Sequence, residues 1–156
     1  MSRLRVAMAL SAVAVSVAAC DPTGPGTEGT ISLGPDVDAS AFQTLVLRAY
    51  PNPSSAPFDP SLPIPLDAER RDESVSEIMF PFHYQVGGGI GTTAIETWMF
   101  VAWLSTRART SDHPGLDAGD VFCAIPYREQ WCDYAGAYCG QTRVNCTLAD
   151  VVPAAP

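Results

Sequence analysis

In TTAIETWMFVAWLS, residues Thr92 to Ser105, both parities of the chain are apolar. Trp98, Phe100, Ala102 and Leu104 fall on one, and Met99, Val101 and Trp103 on the other. Successive side chains of a strand point to opposite faces. A strand that is apolar on both is covered on both. Adjoining Thr, Trp, Phe and Val residues favour this strand over a buried helix. The stretch predicts the central strand of a β-rich domain.

Working outward, Gly87-Gly88-Gly89-Ile90-Gly91 reads as a turn. Before it, IMFPFHYQV (78–86) alternates Phe80, Phe82, Tyr84 and Val86 with Pro81, His83 and Gln85. That is a half-buried strand, with Pro81 marking a bulge or an edge. After the central strand, residues 106–120 form a polar loop containing His113-Pro114-Gly115. VFCAIPY (121–127) and TRVNCTLADV (142–151) are the last strand candidates, and the tail 153–156 is frayed. Upstream, TLVLRAY (44–50) puts Leu45, Leu47 and Ala49 on one face and Val46, Arg48 and Tyr50 on the other. Thr30 to Leu33 is a short strand; Asp36 to Phe42 is one turn capped by Asp38 or Ser40. Six prolines between Pro51 and Pro65 exclude an interior strand there. The expectation is an extended loop with Phe58, Leu62 and Ile64 dipping towards the core. Asp67 to Glu77 is charged and reads as a solvated loop.

Six or seven short strands without a long amphipathic helix predict an all-β fold, an antiparallel β-sandwich of about seven strands of Greek-key type. It fills one domain over 31–152. The strand rhythm and the W-x-x-x-A-W-L pattern of Trp98 to Leu104 resemble small transthyretin-like or carboxypeptidase-regulatory-like sandwich domains of secreted bacterial proteins. That resemblance implies a fold and no activity.

The chain opens with MSRLRVAMALSAVAVSVAAC. Arg3 and Arg5 precede an apolar run from Val6 to Ala19 that is too short for a finished span of about 20 residues. This is the build of a secretory leader. Its end, Val17-Ala18-Ala19-Cys20, resembles the lipobox of bacterial lipoproteins. The resemblance implies cleavage after Ala19, a diacylglycerol on the Cys20 thiol, and usually an acyl (palmitate-type) chain on the new amino terminus. Residues 1–19 are then signal peptide, and 20–30, rich in Gly, Pro and Thr, a flexible tether. The address is the bacterial cell envelope, on the extracytoplasmic side of the outer or inner membrane. The partner is the lipid bilayer, reached through acylated Cys20.

The net charge is −8, and loss of Arg3 and Arg5 takes it to −10. Such a surface repels nucleic acid. Every basic side chain is Arg. Without lysine there is no Schiff base, phosphate-loop lysine or Ser-Lys dyad.

Of five cysteines, Cys20 taken by lipid leaves four, an even number for an oxidising compartment. The favoured pairing is nested. Cys123–Cys146 joins two strands read as antiparallel neighbours, and Cys132–Cys139 closes the loop between them. The sequential pairing is the alternative. The spacings lack the close Cys pair of a zinc site, and C-x-x-C is absent.

No catalytic set is legible, and no cofactor or metal is called for. A strand, not a helix, follows the glycine run, so it is no dinucleotide fingerprint. No G-x-S-x-G elbow occurs. His83 reads as a surface residue of its strand. An envelope hydrolase or metal-dependent enzyme using His113 with Asp112 or Asp120 is the alternative reading. Asp36-x-Asp38-x-Ser40 starts like a calcium loop, but Ala41 and Leu47 stand where Gly and Glu belong. Asp112, Asp117 and Asp120 flank a glycine-containing loop and are weak candidates for a hard cation. Tyr127, Trp131, Tyr134 and Tyr138 are the candidate contact surface for an envelope protein or glycan. The leading expectation is therefore a non-catalytic binding or scaffolding domain, with a calcium- or glycan-binding module as a further alternative.

Overall fold

The computed structural model describes residues 26–87, 97–108, 115–128 and 142–154. The central stretch forms a strand at Thr97–Ser105, and from Met99 onward every residue is buried. It sits in the middle of a five-stranded sheet. In chain order the strands are β1 (Gly26–Leu33), β2 (Thr44–Pro51), β3 (Glu69–Ser74), β4 (Phe82–Gly87), β5 (Thr97–Ser105), β6 (Val121–Arg128), β7 (Thr142–Arg143), β8 (Cys146–Leu148) and β9 (Asp150–Val151). One sheet has the order β3-β2-β5-β6-β9, and the other β4-β1-β7 with β8 also paired to β1. The protein is an all-β sandwich.

Parity decides what lies between the sheets. Leu45, Leu47, Ala49, Phe100, Ala102, Leu104, Val121, Cys123 and Tyr127 face Ile31, Tyr84, Val86, Val144, Cys146 and Leu148. The rings of Tyr84 and Phe100 stack across the gap, with centroids 4.7 Å apart. The alternation read in β4 holds: Tyr84 and Val86 are buried while His83 and Gln85 are exposed.

The other face of the five-stranded sheet is covered too. Val46, Met99, Val101 and Trp103 pack under Ile64 and Ala68, with Phe58 against Phe122 at 5.6 Å between ring centroids. The proline-rich segment thus serves as a third layer. Leu62 departs from expectation: it is 59% exposed. The strap reaches its far turn there, where Asp59 holds the Ser61 amide and hydroxyl, so Leu62 rides over the turn.

Three further expectations are corrected. The charged stretch 67–77 is not a loop throughout, because Glu69–Ser74 pairs antiparallel with β2. The free edge of β2 supplies the partner, and charged side chains are well suited to a sheet edge. The sandwich is not purely antiparallel, since β1 runs parallel to both β7 and β8. A chain arriving from the opposite sheet is not forced to reverse as a hairpin is. Finally, Cys123 and Cys146 do form a disulfide, but they are not neighbours in one sheet. Cys123 lies on β6 and Cys146 on β8, so the bridge staples the two sheets together. Cys132 and Cys139 lie outside the described residues.

At its start, β1 takes up Gly26 to Thr30, inside the stretch read as tether. Near its end the chain changes sheets at Ala149, whose N–H donates to the Phe122 carbonyl at 3.3 Å.

Candidate functional site

The residues of β1 that point away from the core are Glu28, Thr30 and Ser32. On one side β4 places His83 opposite Thr30. On the other, β7 places Arg143 beside Glu28, and the chain breaks from the ladder at Val144 and Asn145 before β8 resumes. These elements border a cleft of about 320 Å³ lined by Glu28, Gly29, Thr30, His83, Tyr84, Arg143 and Asn145.

Its base is rigid. A side-chain carbon on Gly29 would lie 2.0 Å from the Val144 carbonyl oxygen, so only glycine lets the interrupted strand close in. The Val144 N–H donates to the Glu28 carbonyl at 2.8 Å. The Tyr84 hydroxyl donates to the Val144 carbonyl at 2.7 Å and meets the Thr27 hydroxyl at 3.4 Å. Burial lifts the Tyr84 phenol well above its ordinary value; the Thr27 hydrogen bond opposes this and the Glu28 charge adds to it. The rim is polar. The Thr30 N–H donates to Asn145 Oδ1 at 3.1 Å, and the Thr30 hydroxyl meets His83 Nδ1 at 3.2 Å. Arg143 and Glu28 form an exposed pair at 3.5 Å.

Of the aspartates read as cation candidates, Asp117 and Asp120 are engaged elsewhere. The Asp117 carboxylate holds Arg107 at 2.5 Å. Asp120 is 2% exposed, and its carboxylate accepts the Asp117 N–H at 2.9 Å. It fastens the turn ahead of β6, where Gly119 takes a left-handed φ of +88°. Asp38 Oδ1 accepts both the amide and the hydroxyl of Ser40, capping the short turn Ala39–Ala41. Those bonds draw the Asp38 carboxyl below its ordinary value, and the same Asp-x-Ser arrangement lowers Asp59. Among the described residues no group of three or more His, Cys, Asp or Glu is placed to hold a metal ion.

Of the aromatic surface, Tyr127 is described and lies inside. It shares the inward parity of Val121 and Cys123, is 8% exposed, and its ring sits 6.5 Å from that of Trp98. Tyr127, expected on the contact surface, instead faces the core. Trp131, Tyr134 and Tyr138 lie outside the described residues, as do Cys20, Asp112 and His113.

Sequence reasoning missed Glu28, Thr30, Arg143 and Asn145 as a group. One signal was available: in Arg143-Val144-Asn145 a lone apolar residue separates two long polar ones, which marks an outward pair. Nothing local ties that pair to β1, which lies 115 residues upstream. Comparison with protein families, with curated proteins and with solved structures finds no match.

Proposed function

We propose that this chain is a lipid-anchored lipoprotein of the bacterial cell envelope whose β-sandwich binds or scaffolds a partner and catalyses no reaction. The observation that carries the reading is Val17-Ala18-Ala19-Cys20 at the end of an apolar leader. Each buried methylene of an acyl chain contributes about 0.8 kcal/mol, so one chain holds only reversibly and two or three hold durably. Among the described residues no helix is long and apolar enough to cross a membrane, and a thioether lipid supplies an anchor without one. Cysteine use is compatible with this: Cys123 and Cys146 pair with each other, which removes both as partners of Cys20. In this reading Cys132 pairs with Cys139, and the main strands follow a Greek-key order.

The enzyme alternative gains no support from Asp120, whose carboxylate is spent on a turn. Mass spectrometry of the amino-terminal peptide from the native host tests the proposal. A diacylglyceryl Cys20 is the expected result. Cys20→Ser should leave an uncleaved, unlipidated precursor. A bare Cys20 on a released protein would overturn the anchor and the address with it.

A further inference from the structure

Thr30 sets the orientation of the cleft. A backbone N–H can only donate, so the amide oxygen of Asn145 is the atom turned towards Thr30. The Asn145 NH2 group is left for the cleft. Beside it stands the Arg143 guanidinium, with a side chain 75% exposed. Facing them is the Glu28 carboxylate, 44% exposed. An ion pair this open is weakened by solvent, so both charges are available to a ligand. His83, held through Nδ1, closes the opposite wall.

The cleft therefore offers two adjacent donors for an oxyanion and, across from them, an acceptor for a cation. Its own charges cancel. A bare anion would approach against a net charge of −8, whereas a molecule bearing both signs meets no such field. The volume sits at the small end of ligand sites. We propose that this cleft binds a small zwitterion with an ammonium next to a carboxylate, as in a free α-amino acid. The carboxylate bonds to Arg143 and the Asn145 NH2, and the ammonium to Glu28. The proposal goes beyond the anchor reading and does not depend on it.

The test uses the full chain in detergent and alanine as the probe, followed by backbone amide NMR. Saturable shifts at Glu28, Arg143 and Asn145 are expected. Propionate, which lacks the ammonium, and ethylamine, which lacks the carboxylate, should bind about tenfold weaker or worse, because each forfeits one charge-assisted set of hydrogen bonds. Arg143→Gln and Glu28→Gln should each weaken alanine by a similar factor without lowering the melting temperature. Arg70→Gln, on the other sheet, should leave binding unchanged. No saturable shift at the solubility limit of alanine overturns the proposal. So does propionate binding as tightly as alanine, or glucose shifting these amides where alanine does not. None of these outcomes bears on the lipid at Cys20, which is read separately by mass.

Discussion

In the five-stranded sheet, Val46, Met99, Val101 and Trp103 turn away from the common core and are still buried, under Ile64 and Ala68 of the strap. In the other sheet the residues turned away from the core, Glu28, Thr30, His83 and Gln85, are polar and meet water. Among the described residues, one sheet is the middle layer of three and the other is an outer wall. The difference shows how a segment without ladder hydrogen bonds can still complete a layer. Proline needs no backbone donor and loses little freedom on ordering. A proline-rich strap can therefore lie on a sheet and lower apolar side chains onto it. What the strap covers becomes core, and what stays bare can carry a binding cleft.

Arg48 marks the boundary between these regimes. It is 4% exposed on the strapped face, yet charged. Asp72 of β3 neutralises it, with one contact at 3.3 Å, and its guanidinium lies 5.5 Å over the Trp103 ring. A buried charge needs such partners. Arg71 on the same strand points the other way, pairing with Glu73 at 2.6 Å and lying 5.3 Å over Phe82 of β4. The expected solvated loop is thus a charged edge strand that serves both sheets.

The contrast can be broken at several points. Trp103→Ala should have the largest effect, about 4 kcal/mol in urea unfolding, as for any large buried aromatic. Gln85→Ala on the bare wall should cost less than about 0.5 kcal/mol. Equal losses at the two positions would mean that the strap is no true layer. Replacing Cys123 and Cys146 together by alanine removes a link between residues 23 apart and should cost about 3 kcal/mol. Melting with and without reductant checks it: the native protein should lose stability on reduction, and the double variant should not respond to loss of this bridge. Ile64→Ala should cost about 2 kcal/mol. Hydrogen exchange would show the loss spreading into β5 and sparing β1.

Smaller effects come from pH. The Tyr84 phenol titrates above its unfolded value of about 10. The neutral form is favoured by folding, so its stabilisation is complete below pH 10 and is lost as pH rises further. Tyr84→Phe should flatten the alkaline limb of stability against pH. Asp38 and Asp59 have the opposite sign. Their folded values lie below the unfolded 3.8, so their contribution is present above that pH and is lost as pH falls through the lowered values. Both are fully exposed, and the effect should be the smallest of all. Carboxyl NMR titration of Asp38, before and after Ser40→Ala, would show the midpoint rise towards its ordinary value.

Much of the sandwich is local information. The doubled apolar parity of Met99 to Leu104 announces a strand covered on both sides, because side-chain direction alternates within any strand wherever it lies. The alternation through Phe82, Tyr84 and Val86 announces a half-buried wall for the same reason. Asp38 as a cap and Ile64 as an anchor are equally short-range. What no window of sequence contains is the choice of partner. The pairing of β3 with β2, the parallel run of β7 and β8 beside β1, and the placement of Cys123 and Cys146 on opposite sheets depend on which edges remain open once the core has closed. The cleft belongs to that second kind. Thr30 and Asn145 are 115 residues apart, and only the completed sheet sets them within one hydrogen bond of each other.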